Sequence, residues 1–300
     1  MQKNQKFLAF DIGGTKIACA VINERGKILS ETQKFDTPKT TDAINLLLKS
    51  IISQHKDEID AVAIATAGEV SNERSRIISS VGNMAAGYRD TDFASLSAKP
   101  VILENDANAA AWAEYKLGAG KYCKNLLVVA IGTGVGLGVI VDGKLLKGKC
   151  GAAAEAHFPI NRGNKRRCSC GAYDCYEIYA SGTALSLDAK EAYGNDTKNS
   201  HDVIKGIKEH DHVAIDIFDN WQNNVLAGIY GLVNLFDPEA VILFGSLVEF
   251  MDVEKLEREA NQIILTPPVK ICCAKHGANA AMIGATLLAA EELKKNSQRE

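Results

Sequence analysis

Two stretches of this chain are built on one plan. Residues 7–29, FLAFDIGGTKIACAVINERGKIL, run from an apolar segment through a glycine turn into a second apolar segment and close in a polar turn. Residues 126–146, LLVVAIGTGVGLGVIVDGKLL, do the same, element for element. Each reads as strand, tight glycine turn, strand, and together they make an internal repeat. Without a Cβ, glycine lets backbone N–H groups come close to a phosphate. One such hairpin alone is ordinary turn chemistry. Two copies, about a domain apart, point to a nucleotide held between two similar lobes.

Other phosphate motifs fail on inspection. Gly138-x4-Gly143-Lys144 has P-loop spacing, but Leu145 stands where Ser or Thr must meet magnesium, and the stretch lies in a hairpin. Gly134-x-Gly136-x-Gly138 runs into the β-branched VIV, which continues as strand where a dinucleotide-binding loop would enter a helix. Further strands are expected at 59–66, 100–104, 239–244 and 269–274, and helices at 41–56, 105–117, 175–192, 210–235, 252–263 and 280–294. This alternation implies α/β lobes with mostly parallel sheets covered by helices. GAGKYCKN at 118–125 comes nearest to a boundary.

At 300 residues and 46% hydrophobic content, the chain can bury one large or two medium cores. A net charge of −3 gives no reason to expect nucleic acid or a membrane surface as partner. The apolar runs are too short to span a bilayer, and MQKNQK leads straight into FLAF with no signal-peptide core, so a cytoplasmic location is expected. In a reducing compartment eight cysteines do not suggest a disulfide framework.

Three of them cluster with a histidine in HFPINRGNKRRCSCGAYDCYE, residues 157–177. His157, Cys168, Cys170 and Cys175 make the Cys3His set of a tetrahedral zinc site, and with all four positions filled by protein the Zn2+ would be structural. The competing reading is a loop of free cysteines with an unrelated histidine. Cys19, Cys123, Cys150, Cys272 and Cys273 have no partner at ligand spacing and read mostly as small core side chains. The basic run NRGNKRR reads as a solvated surface loop.

After the strand PVILE, Asn105-Asp106-Ala107-Asn108 opens an alanine-rich helix. Two readings stand side by side: Asp106 as general base for a substrate hydroxyl, or Asp106 or Asn105 as an ordinary helix cap. Asn83 in VGNMAAGY, Glu155, His157 and Glu177 are polar groups able to converge on a polyol.

DIGGTK at 11–16, LENDANAAAWAEYKLGAG at 103–120, AIGTGVGLGVIVDGKLLKG at 130–148, CSCGAYDCYE at 168–177 and NLFDPEAVILFGS at 234–246 resemble, in order, the motifs of the ROK family of bacterial sugar kinases. The resemblance covers essentially the whole chain. It implies a two-lobed actin/hexokinase-like ATPase fold, with ribonuclease H-like lobes and a zinc-binding loop. The N-terminal lobe would be 1–118, joined by helix 283–297, and the C-terminal lobe 119–282, carrying the zinc loop 157–177. It implies Asp106 as base on the sugar hydroxyl, and Asn83, Asn105, Glu155, His157 and Glu177 as sugar contacts. Asp11, Gly13, Gly14, Thr15, Lys16, Gly132, Thr133, Gly134 and Gly245 would lie along the nucleotide, with Asp11 on the magnesium side through water. Zinc would fix the loop that carries His157 and Glu177 into the site.

Two departures from the family pattern matter. The usual Glu-x-Gly-His is Glu155-Ala156-His157 here, so either Glu155 adjusts or an ungapped match puts Ala154 at the family's glutamate. Phe244-Gly245 replaces paired glycines, which would set a ring near the adenosine. The leading expectation is an ATP- and Mg2+-dependent kinase acting on the 6-hydroxyl of a hexose or N-acylhexosamine, glucose or N-acetylmannosamine foremost, as a homodimer. The alternatives are a sugar-responsive ROK-type transcriptional regulator or a non-catalytic sugar-binding protein. The regulators carry an additional N-terminal helix-turn-helix domain, whereas the first hairpin here begins by residue 7. Asp106 together with intact glycine loops speaks for catalysis.

Overall fold

The computed structural model describes residues 4–79, 84–160, 163 and 166–298; Asn83 lies outside the described residues. Its architecture repeats the sequence repeat. In the first half, β1 (Lys6–Ile12) and β2 (Lys16–Asn23) form the glycine hairpin, and β3 (Gln33–Asp36) extends it. Helix α1 (Thr41–His55) follows, then β4 (Ala61–Thr66), the short pair β5 (Glu69–Val70) and β6 (Ile77–Ser79), β7 (Val101–Asn105) and α2 (Asp106–Leu117). The sheet order is β3-β2-β1-β4-β7.

The second half begins with the hairpin β8 (Leu126–Ile131) and β9 (Val135–Val141), extended by β10 (Lys144–Leu145). After a long loop come α3 (Glu177–Ala180), α4 (Gly182–Tyr193), α5 (Ser200–Lys208), α6 (His212–Phe236), β11 (Ala240–Phe244), α7 (Val253–Ile263), β12 (Lys270–Cys273) and α8 (Ala280–Ser297). The order β10-β9-β8-β11-β12 matches the first sheet position for position. The sheets are not mostly parallel as the alternation implies. In each, the hairpin and its extension pair antiparallel, and only the two later strands run parallel.

Period-two burial places helices on both faces. On β1, Leu8, Phe10 and Ile12 pack with Ile44, Leu48, Ile51 and Ile52 of α1, while Phe7 packs with Ala281, Ala285 and Ala289 of α8. On β8, Leu127, Val129 and Ile131 meet Trp221, Val225 and Ile229 of α6, while Leu126 and Val128 share a cluster with Ala110 and Ala111 of α2 and Ile283 of α8. α2 and α8 therefore fill the space between the sheets. They approach so closely that a Cβ on Gly284 would lie 1.7 Å from the Ala109 carbonyl oxygen. α8 packs against β1, β2, β4 and β7 of the first sheet.

One expected helix is divided and one further helix is present. The span 175–192 breaks at Ser181, which caps α4 by accepting from Ala184 N (3.1 Å) and gives its carbonyl to Trp221 Nε1 (2.9 Å). Ahead of α6 stands α5, started by a capping box of Asn199 and Asp202. The unclustered cysteines are not uniformly core: Cys19 is buried, Cys123 and Cys272 are half-buried, and Cys150 and Cys273 are exposed.

Candidate active site

The two glycine turns open into one cavity of about 450 Å3. Gly13, Gly14 and Thr15 line it from the first turn, Gly132, Thr133 and Gly134 from the second, and Asn105, Asp106, Glu155, His157, Glu177, Phe244 and Gly245 complete most of the wall. The first turn is tied by Gly13 N to the Lys16 carbonyl (3.0 Å) and by Thr37 Oγ1 to the Gly13 carbonyl (2.6 Å). The second is tied to the start of α4, where Gly182 N donates to the Gly132 carbonyl (2.8 Å) and Thr183 Oγ1 to that of Thr133 (2.7 Å). A Cβ on Gly134 would meet Glu177 Oε2 at 2.3 Å and displace that carboxylate. Gly245 is confined more strictly: its φ is +125° and a Cβ would lie 2.0 Å from the Ile131 carbonyl oxygen.

Lys16 is not among the cavity residues. Its Nζ pairs with Asp36 Oδ1 at 3.0 Å on the exposed side of the hairpin. Asp11, on β1, lies behind the turn, close enough to Asp106 for the two carboxylates to repel. Burial, then that repulsion, pushes Asp11 from its ordinary 3.8 up to about 7.

β7 runs directly into α2 at the cavity edge. Asn105 takes the cap: its Oδ1 accepts from Asn108 N (3.0 Å) and its Nδ2 donates to the Gly68 carbonyl (3.1 Å). Asp106 is thereby released from capping, and Ala107 N donates to its Oδ1 at 2.8 Å. Burial raises the Asp106 carboxyl above the usual range, opposed by that backbone donor. Glu155 reaches the cavity from a short bridge to Gly136, and Ala154 before it adopts φ 65° and packs into the second-lobe core. The carboxylate in the cavity is thus Glu155 despite its shortened spacing to His157. Burial, followed by the charges of Glu69, Asp106 and Glu177, pushes it up to about 7. Glu177 Oε2 accepts from Val135 N (3.1 Å), linking α3 to the second glycine turn.

Below Glu177 the ligand atoms of His157, Cys168, Cys170 and Cys175 all lie within 4.8 Å of one another. His157 Nδ1 is 3.5 Å from Cys168 Sγ, and Cys170 Sγ is 3.6 Å from Cys175 Sγ. A tetrahedral site with Zn–S of about 2.3 Å has ligand edges of about 3.7 Å, so the four atoms fit the ion. Cys168 N donates to the Ala172 carbonyl (2.9 Å) and Gly171 turns at φ 91°, folding the pair back on itself. With Nδ1 facing the sulfurs and the residue lining the cavity, His157 joins the cluster to the site.

Sequence reasoning missed three features. Glu69 and Gly68 line the cavity from the turn before β5. A second cavity of about 630 Å3 shares Gly132, Thr133 and Thr183 with the first and is lined also by His201, Lys205 and Lys208 of α5. Behind Asn105, Glu104 is 1% exposed and takes Lys147 Nζ on both oxygens (2.9 Å each) and Arg74 Nε (2.9 Å). The only local signals among them are Gly68-Glu69 before β5 and Lys147 at the end of the second hairpin's motif.

Residues 7–292 match the ROK family. The chain belongs to the ROK family. Its relatives include the glucokinase of Streptomyces coelicolor, 34% identical over 95% of this chain and 97% of that protein, and the N-acetylmannosamine kinase of Yersinia pseudotuberculosis, 30% identical over 96% and 99%. The structure of a ROK family glucokinase from Streptomyces griseus, in complex with glucose and AMPPNP, superposes with a TM-score of 0.82 at 30% identity, covering 94% of this chain and 98% of that one. The two matched sheets and intervening helices of this ROK protein are the actin/hexokinase-like fold.

Proposed function

We propose that the chain is an ATP- and Mg2+-dependent sugar kinase that transfers the γ-phosphate of ATP to the 6-hydroxyl of a hexose or N-acylhexosamine, glucose or N-acetylmannosamine foremost. The observation that carries this is the position of Asp106. It is a partly buried carboxylate free of capping, in the same cavity as both glycine turns. Desolvation makes it more basic than a surface aspartate, as a general base near neutral pH requires.

Asp106 orients the 6-hydroxyl and accepts its proton as the oxygen attacks the γ-phosphorus in line. The new O–P bond forms while the bond from γ-phosphorus to the β,γ-bridging oxygen breaks, and ADP leaves with that electron pair. Positioning and charge neutralisation supply most of the rate in such transfers. Gly13, Gly14, Thr15, Gly132, Thr133, Gly134 and Gly245 bring backbone close to the triphosphate; Asp11 would hold the magnesium bound with it through water, and the ion would supply charge neutralisation. Asn105, Glu155, His157 and Glu177 hold the sugar. The second cavity, which shares Gly132, Thr133 and Thr183 with the first, receives the nucleoside, and Phe244 lines the first.

His157, Cys168, Cys170 and Cys175 would hold a structural zinc. It supplies rigidity to the loop and fixes which histidine nitrogen is left for a sugar hydroxyl. The lobes divide at residue 118, helix 283–297 belonging with the first, and the working form is a cytoplasmic homodimer. A coupled ADP-release assay with ATP and Mg2+ across glucose, mannose, fructose, N-acetylglucosamine and N-acetylmannosamine tests the reading. Turnover on at least one sugar is expected, and none on any of them would refute it.

A further inference from the structure

One carboxylate in the main cavity has no task in this scheme. Glu69 opens β5 directly after Gly68, the residue whose carbonyl anchors Asn105, and the β5–β6 register shifts between Glu69 and Val70. Such an irregularity re-aims a side chain. Glu69 is 7% exposed, lines the cavity, and keeps its Oε2 buried with no hydrogen-bond partner. A carboxylate oxygen shut away from water without a donor is costly to maintain, and a ligand that donates to this carboxylate from the cavity would offset that cost. The cations in its neighbourhood are committed: Arg74 and Lys147 both pair with Glu104.

Charge decides what kind of donor is missing. Among the described residues the cavity is lined by Glu69, Asp106, Glu155 and Glu177 and by no lysine or arginine. A neutral sugar offers hydroxyl donors but leaves that charge uncompensated. A protonated amine supplies donors and a positive charge together, and charge-assisted bonds of this kind are the stronger ones. An acetylated nitrogen loses the charge and brings a methyl group against the carboxylates.

We propose that Glu69 receives an ammonium group on the sugar, so that this enzyme accepts aminohexoses with a free amine in preference to their N-acetylated counterparts. The inference rests on the sugar-kinase reading and puts aminohexoses in place of the N-acylhexosamines among its acceptors. Asp106 engages the 6-hydroxyl end, and the amine is held at Glu69 with Glu155 nearby.

The test uses calorimetry on the nucleotide-free protein with 2-amino-2-deoxyglucose, 2-amino-2-deoxymannose, their N-acetyl forms and glucose, for the wild type and Glu69→Gln, and ADP release on the same panel. The amino sugars are expected to bind at least about 10-fold more tightly than the acetylated ones, and Glu69→Gln to reduce that ratio by about 10- to 100-fold. The wild-type preference should fade as pH rises and the amine loses its proton, a trend a purely structural glutamate would not produce. Retained binding of an ATP analogue and an unchanged melting profile certify that the variant is folded. Equal ratios in the two proteins, a preference indifferent to pH, or Mg2+ alone binding the wild type and not Glu69→Gln would overturn the proposal. Amino-sugar binding without ADP release on any sugar would sink the kinase reading instead, while ADP release on glucose with no amine preference would sink only this one.

Discussion

Lys147→Met tests whether the two lobes are held in register behind the base. Lys147 follows β10 and crosses to the first lobe, where its Nζ lies 2.9 Å from both oxygens of Glu104 and 3.3 Å from the Ser71 carbonyl oxygen. Glu104 is 1% exposed and Lys147 11%, so solvent screens the contact little. Glu104 Oε1 also accepts from Asn105 N at 3.1 Å, one residue before Asp106. Breaking an isolated buried pair costs about 3–5 kcal/mol because a charge is left uncompensated. Here Arg74 still pairs with Glu104, and burial lowers the Lys147 pKa, so removing it relieves a desolvation penalty. The expected loss is therefore about 2–3 kcal/mol, with a raised KM for sugar as Asn105 loses its footing. Urea denaturation followed by circular dichroism measures it, with exposed Lys149→Met as the control, expected within about 0.5 kcal/mol of wild type. Glu104→Gln combined with Lys147→Met should destabilise by less than the sum of the two. A Lys147→Met loss no larger than that of the control, or strict additivity in the double variant, would refute the argument.

Gly245→Ala should raise the KM for ATP at least about 10-fold with little change in sugar binding, because the new Cβ collides with the Ile131 carbonyl oxygen at φ +125°; an unchanged KM would remove this turn from the nucleotide site. Cys170→Ala should lose the single zinc found by elemental analysis of protein purified without chelator, and sugar affinity with it, while the far-ultraviolet spectrum persists; finding no zinc in the wild type would defeat the assignment. Asp106 must be ionised to act and burial raises its pKa, so kcat/KM should be level at high pH and fall with acid at a pH above that at which an ordinary aspartate titrates. Asp11 runs with the opposite sign in stability: held at about 7 against an ordinary 3.8, it favours the folded state less as pH rises through that window. Asp11→Asn should thus melt higher than wild type at pH 8, and the gain should shrink toward pH 4.

Much of this was written into local sequence. The duplicated strand–glycine–strand pattern gave both hairpins and the matched halves, because a turn without Cβ atoms between apolar strands has few other solutions. The Cys3His spacing brought its four side chains to one point. The mostly parallel sheets were misjudged by weighting helix alternation over the hairpins. The helix over 175–192 was read through Ser181, since nothing local announces that its hydroxyl caps a new helix while its carbonyl serves Trp221. α5 was passed over because its polar flank hides a capping box, legible as Asn199 three residues before Asp202. Local sequence leaves Asp106 divided between base and cap, and the residue that caps the helix is Asn105. The role of Glu69 is not legible in the sequence, because its significance lies in burial and missing partners, which tertiary packing alone creates.

We propose above all that Asp106 drives transfer of the γ-phosphate of ATP to a sugar 6-hydroxyl. Phosphorus NMR of the reaction with the best sugar of the panel, run for wild type and Asp106→Asn in parallel, tests it directly. The wild type should give ADP and one phosphate monoester coupled to the two protons on C6, and Asp106→Asn should form it about 10²–10⁴ times more slowly with ATP and sugar affinities preserved. A monoester on another carbon, or Asp106→Asn turning over at the wild-type rate, would contradict the account.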